Sequence, residues 1–251
     1  MRHSAAMADA HRTARELALL FEGVADPSVR VGYVRHTVSA MEPSDVADLV
    51  TVAVHRAEAR DGAYGALLLA LSVALADALE LREAVARAAA ARGQNETAAL
   101  LSARPREAAN SDEAGVPDFG VGRTLTLGER KALARRRDRD LIARVLRDPH
   151  PDVIRILLGN PTLTEAQVIG LCARRPVEPE VLREVFRSTR WIVRYGVRRA
   201  IVKNPAAPLD VALQLAVHLN AADARKIAQM HELEASVRDA CRRVAGLTTI
   251  H

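Results

Sequence analysis

The chain has 251 residues, of which 49% are hydrophobic and only 3% aromatic, and it carries a formal net charge of +5. That length supports one large domain or two modest ones, and a core this poor in rings must be built from Leu, Val, Ile and Ala. Ala, Leu and Arg favour helix because they lose little conformational freedom there. The β-branched residues never alternate over a strand length, so a sheet protein is excluded and the expected class is all-α.

Residues 5–22 read as a first helix, with Leu17, Leu20 and Phe21 on one face. Asp26-Pro27-Ser28 breaks it, and Val31, Val34 and Val38 follow at helical spacing. Glu42-Pro43-Ser44 is a second break, after which Val46, Leu49, Val50 and Val54 mark a third helix ended by Asp61-Gly62. Residues 63–92 form a long apolar helix, single or divided, that becomes charged after Leu81. Its most apolar part, Ala63 to Ala76, is 14 residues long. That is too short to span a bilayer and reads as a buried helix, so no transmembrane segment is expected.

The pattern stops at Gly93. Residues 103–124 are rich in Pro, Gly and small polar residues and read as a flexible linker between an N-terminal helical bundle (1–102) and a second helical domain (125–251). Charge changes sign across it. Residues 1–125 hold 13 basic and 17 acidic side chains, net −4; residues 126–251 hold 23 and 14, net +9.

The second domain starts with a capping box, Thr126-Leu127-Gly128-Glu129, in which a Thr hydroxyl and a Glu carboxylate satisfy each other's backbone N–H groups. Leu133, Leu141, Ile142, Val145 and Leu146 continue the helix as far as Asp148-Pro149-His150-Pro151. Residues 153–171 then align without a gap on 197–215, at an offset of 44, with Asn160-Pro161 on Asn204-Pro205. Thr164 to Gln167 is a second capping box, and Pro208 suits the first turn of a helix. Residues 175–182 are a partial copy, and the stretch from Asp26-Pro27 to Leu49 is a weak echo. Each copy reads as helix, proline turn, helix. One such hairpin cannot bury its own apolar face, so hairpins must stack.

Asn-Pro or Asp-Pro turns, Val-Arg pairs before them and Pro-x-x-(Val/Leu) after them resemble the leucine-rich-variant and HEAT-like helical repeats of bacteria, over about 145–220. The resemblance implies an α-solenoid-like C-terminal domain. It departs from some leucine-rich-variant proteins in lacking the cysteine cluster that holds their iron–sulfur module.

Cys172 and Cys241 stand alone, and no CxxC, HxxxH or HExxH spacing occurs, so no metal site is expected. No GxSxG, GxGxxG or GxxxxGK[ST] is present, so no catalytic residue and no cofactor is expected. Two free cysteines and a polar N-terminus point to a reducing cytoplasm.

The candidate binding face is Arg187, Arg190, Trp191, Arg194, Tyr195 and Arg198. Its arginines are spaced by three and four, so they share one face if a single helix runs through them. Such a stripe beside aromatic rings clamps phosphates or an acidic helix; equally, Arg stems pack along rings on a solvated face. Arg135, Arg136 and Arg139 form a second, anion-attracting cluster interleaved with Asp138 and Asp140. Arg exceeds Lys so heavily (the only lysines are Lys131, Lys203 and Lys226) that the pattern matches the coding bias of a GC-rich bacterial genome, which lowers what the Arg count alone implies.

The leading expectation is a non-enzymatic scaffold or interaction module whose basic repeat surface meets a protein partner with an acidic face. The alternative is a nucleic-acid-binding HEAT-like protein that holds the phosphate backbone, in the manner of alkylated-base DNA glycosylases. That alternative needs an aromatic pocket and an acid facing the groove, for which Trp191, Tyr195 and Glu184 are the nearest residues.

Overall fold

The structure is a computed structural model that describes residues 2–102, 115–120 and 122–247. These residues form sixteen α-helices packed together and no strand. No described helix is long and apolar enough to cross a membrane.

Six helices make up the first half: α1 (Arg2–Gly23), α2 (Pro27–Ser39), α3 (Pro43–Glu58), α4 (Gly62–Ala76), α5 (Leu79–Ala91) and α6 (Asn95–Ser102). Local chemistry sets their starts. Asp26 accepts a hydrogen bond from Ser28 N at 2.8 Å, and Pro27 occupies the first turn of α2, where its missing N–H costs nothing. Asp61 accepts from Ala63 N and caps α4. The centre of this half is α3 against α4. Every residue from Val46 to Val54 and from Leu67 to Leu75 is buried, as a helix surrounded by other helices requires. Helix α1 packs on both, α2 on α4, and α5 on α3.

Two expectations are sharpened here. The long apolar stretch is two helices, divided at Asp77-Ala78. The helical pattern also does not end at Gly93. That glycine turns the chain at φ 72°, a backbone region that costs a Cβ-bearing residue more, and α6 follows. Helix α6 packs along α5 and buries Thr97, Leu100 and Leu101. The Thr51 hydroxyl donates to Ala47 O and therefore accepts from Thr97 Oγ1 at 2.8 Å, joining α3 to α6 through a buried polar pair.

The second half is α7 (Leu127–Ala134), α8 (Arg139–Val145), α9 (Pro151–Leu158), α10 (Glu165–Ala173), α11 (Pro179–Arg187), α12 (Thr189–Ile192), α13 (Tyr195–Val202), α14 (Leu209–Ala216), α15 (Ala221–Ile227) and α16 (Ala235–Val244). Both capping boxes form, Thr126 with Glu129 and Thr164 with Gln167. The expected continuous helix up to Leu146 is broken, because Asp138 accepts from Asp140 N and Leu141 N and starts α8 afresh. His150 caps α9 in the same way through its ring Nδ1, which accepts from Asp152 N.

The segments aligned at an offset of 44 fall on α9 with α10 and on α13 with α14. Their asparagines make the same bonds. Asn160 Nδ2 donates to Ala134 O and Arg136 O at 3.0 and 2.7 Å, and its Oδ1 accepts from Thr162 N. Asn204 Nδ2 donates to Cys172 O and Arg174 O at 2.8 and 3.0 Å, and its Oδ1 accepts from Ala206 N. Each therefore satisfies free carbonyls at the end of an earlier helix, α7 or α10, while closing its own turn.

Residues 103–114 and 121 of the expected linker lie outside the described residues. Residues 115–120 and 122–124 are non-helical, and Phe119 and Leu125 are buried. The halves on either side touch: α2 packs on α12, α4 on α11 and α14, and α6 on α14. A buried charge cluster crosses the same boundary. Arg82 Nη1 on α5 lies 2.8 Å from Asp210 Oδ2 on α14, and Arg183 on α11 grips both Asp210 oxygens at 2.7 and 3.0 Å. Arg60, with φ at 66°, donates to Leu219 O and Val244 O at 2.7 Å each and so ties the turn after α14 and the end of α16 to the first half.

Candidate functional site

The six residues of the candidate stripe do not lie on one helix. Helix α11 ends at Arg187, Ser188 is extended, α12 lasts one turn, and Val193-Arg194 separates it from α13. Ser188 stands at the N-cap of α12 without a side-chain hydrogen bond to it. The common face therefore does not form, and each residue has its own setting.

Arg187 lies between Glu184 at 2.7 Å and Asp77 at 3.2 Å, a cation already matched by carboxylates from both halves. Trp191 is 4% exposed and donates its Nε1–H to Leu158 O at 2.8 Å; it is a core residue with no free ring face to offer a base or peptide. Arg194 is exposed, 4.0 Å from Glu165. Tyr195 donates to Asp223 Oδ2 at 2.6 Å and accepts from Asn220 N. Burial and that bond raise its pKa, and the same bond lowers that of Asp223, where the Arg199 charge adds to it. Arg198 Nη1 donates to Ile192 O and Val193 O and lies over the Tyr195 ring at 5.9 Å; burial lowers its pKa. Behind it, the Nε2 of His218 is buried without a hydrogen bond, and burial together with Arg198 pushes that imidazole to about 3.

Arg190 is different. Its guanidinium stacks over the Trp191 ring at 4.4 Å, and Nη1 donates to Asn160 O at 2.9 Å, yet the side chain remains exposed. This contact links the stripe to the second cluster. Asn160 receives Arg190 on its main-chain oxygen and reaches Arg136 O with its side chain. The turn carrying Arg135 and Arg136 and the turn carrying Arg190, far apart in sequence, thus lie side by side along one edge. Arg135, Arg136 and Arg139 lie in the turn before α8 and at its first residue, all exposed, rather than around a continuous helix. Among the described residues Arg136 and Arg139 have no ion-pair partner, and Arg135 bonds only Lys131 O. Next to this edge lies a groove of about 540 Å³, where Arg155, Arg187 and Arg190 face Asp77 and Glu184.

Two other concavities carry charged groups that the sequence did not single out. One, about 320 Å³, lies between α10 and α13 and has Arg175, Arg199 and Lys203 around it. The other, about 550 Å³, opens between the halves, where Glu58 and Glu96 meet Arg243 of α16. There Glu58 shares a hydrogen bond with Glu96; desolvation and the Glu96 charge push its carboxyl up to about 7, against the pull of Arg243, whose Nη2 lies 3.4 Å from Glu96. No spacing rule links residues 58, 96 and 243; only the fold assembles them.

Among the described residues no cluster of three or more His, Cys, Asp or Glu side chains could hold a metal ion. Cys172 and Cys241 are buried, and burial raises both thiols, Cys241 to about 11. The two are therefore inert thiols rather than nucleophiles. No family model, curated protein or solved structure matches this chain.

Proposed function

We propose that this chain is a non-enzymatic protein-interaction module. Its second half acts as a stack of helical hairpins whose basic edge receives an acidic segment of a partner protein. The observation that carries the reading is the Asn160 bridge, which joins Arg135 and Arg136 to Arg190 along one exposed edge. The recurrence of the same asparagine clamp at Asn204 supports a repeated hairpin plan, and stacked hairpins present extended surfaces suited to partners. Among the described residues Arg135, Arg136 and Arg190 form no ion pair, and such exposed guanidinium groups suit planar, two-pronged recognition of Asp and Glu side chains. Trp191, the ring on which a base-reading alternative would depend, is enclosed.

The test is affinity capture from native lysate with wild type and with Arg136→Glu/Arg190→Glu, each with and without nuclease. The expected result is a protein retained by wild type through nuclease and lost by the double variant. Material that disappears with nuclease would replace this reading with phosphate-backbone binding. Equal capture by both proteins would remove the edge as the site.

A further inference from the structure

The α7–α9 pair and the α10–α13 pair start from the same plan and differ where their helices face each other. In the first, Lys131 Nζ lies 2.6 Å from Asp152 Oδ2, and Asp152 Oδ1 takes Arg155 at 3.1 Å. The carboxylate lies between two cations and closes the charge internally. In the second pair, the offset of 44 puts Gly196 in the place of Asp152, Arg199 in that of Arg155 and Lys203 in that of Gly159. The offset of 38 between the two capping boxes puts Ile169 in the place of Lys131. These exchanges fit together physically. A Cβ at position 196 would stand 2.6 Å from Ile169 Cδ1, so glycine is what lets the isoleucine occupy the contact.

The central carboxylate is thus missing from the second pair while cations remain. Ile169, Ala173 and Ala200 give the groove apolar lining and Arg175, Arg199 and Lys203 supply its charge, while the carboxylate beside Gly196, Glu165, lies toward Arg194 and pairs with none of the three. Two of the cations already have carboxylate partners outside the groove: Arg175 pairs with Glu232 at 2.8 Å and Arg199 with Asp223 at 3.5 Å. Asp223 is already engaged by the Tyr195 hydroxyl at 2.6 Å. The Lys203 ammonium has no ion-pair partner among the described residues. An apolar floor beside one unmatched cation, Lys203, and one loosely matched cation, Arg199, suits an acidic side chain with an aliphatic stem, which buries its methylenes and presents its carboxylate to both.

We propose that the α10–α13 groove seats a glutamate of the acidic partner segment, its carboxylate taking the role between Arg199 and Lys203 that Asp152 has in the earlier pair. The inference rests on the protein-binding reading above and adds a second contact to it.

The probe is a short fluorescein-labelled peptide of alternating Glu and Leu, followed by fluorescence anisotropy at low salt. A Gln-for-Glu peptide and inorganic phosphate as competitor are the controls. Two groove variants are compared with wild type. Lys203→Glu reverses one charge. Ile169→Lys/Gly196→Asp rebuilds the internal pair of Lys131 and Asp152 inside the groove. Circular dichroism checks that both fold. Wild type is expected to bind the Glu peptide, to ignore the Gln peptide and to resist phosphate, and each groove variant to lose about tenfold or more in affinity. Groove variants that bind within about twofold of wild type, equal binding of the Gln peptide, or displacement by phosphate alone would overturn the proposal. If Arg136→Glu/Arg190→Glu alone loses the peptide, the groove fails and the edge reading stands. If wild type does not bind the peptide, the groove fails and lysate capture decides the broader reading independently.

Discussion

The two halves of this molecule are held together by different means. In the first, α3 and α4 are long enough to bury nine consecutive residues each, and apolar area supplies most of the cohesion, around a buried carboxylate, Asp48, that Arg92 and Gln94 hold. In the second, most helices have seven to ten residues, too few turns for such a stripe. Their ends lie close together and expose many carbonyl groups, and side chains close them: Asn160, Asn204 and the Trp191 indole each donate to a carbonyl of a neighbouring helix or turn. Buried charge is also used, with Arg130 on both oxygens of Asp148 and with Arg82 and Arg183 on Asp210. Short helices shift the work of specification from apolar area to polar groups that have few acceptable partners.

The strongest way to break this comparison is Asp210→Ala. Asp210 is fully buried, and its removal leaves the nearly buried Arg82 without a carboxylate and Arg183 with only Glu180, at 3.1 Å. Breaking a buried ion pair from one side costs about 3–5 kcal/mol. Because the cluster ties α5 to α11 and α14, the loss is expected as a lower urea midpoint for the whole chain. A drop under about 1 kcal/mol would mean that water reaches the cluster and that the halves are joined by apolar contact alone.

The asparagine clamps give a second, smaller test. Asn204→Ala and Asn160→Ala each leave carbonyls of an earlier helix without a donor, at a cost of about 1–3 kcal/mol. The two should lose similar stability in urea denaturation, since their hydrogen bonds correspond one for one. Unequal losses would show that one clamp is replaced by solvent and that the correspondence is geometric without being energetic.

These same residues mark what sequence reasoning could reach. Both capping boxes were legible, because their partners lie three residues away and spacing alone defines them; Asp26-Pro27-Ser28 was legible as a break, and its cap on Ser28 N came from the fold. Asn160 and Asn204 were legible as turn residues, but their carbonyl partners lie 24 to 32 residues earlier and follow from packing. Helix α6 was missed because its short Ala-rich run follows a glycine and carries little periodicity. Arg82 and Arg183 carry no sequence mark of burial; a lone arginine on a helix reads as surface. The stripe at 187–198 went astray for a related reason. Spacing by three and four implies one face only while the helix lasts, and here it breaks at Ser188 and again at Val193-Arg194. Of that stripe, Arg190 comes together with the Arg135–Arg136 turn, a meeting that needed the fold.

The smallest expected effect lies where the halves meet, at Glu58. Facing it are Glu96 from α6 and Asp239 and Arg243 from α16, while α14 contributes the apolar Leu213 and Val217. Asp239 is matched by Arg242, so the balance at Glu58 is set by Glu96 and Arg243. Its carboxyl lies at about 7 when folded, against 4.5 as a free side chain. The folded state therefore binds this proton more tightly than the unfolded state does. The stability it contributes is fully present below about pH 4.5, declines as pH rises toward 7, and is flat above that. The group is only half-buried, so solvent screening reduces the effect to on the order of 1 kcal/mol. Glu58→Gln cannot titrate, but it can still donate a hydrogen bond to Glu96 as the protonated acid does. His218, whose lowered pKa comes from burial and Arg198 and not from Glu58, contributes equally to both proteins and cancels in the difference. The difference in unfolding free energy, wild type minus Glu58→Gln, should accordingly fall between pH 4.5 and 7 and hold level above. A difference that stays flat across that window would place Glu58 in water and leave apolar contact, with the Arg60 and Asp210 bridges, as what joins the halves.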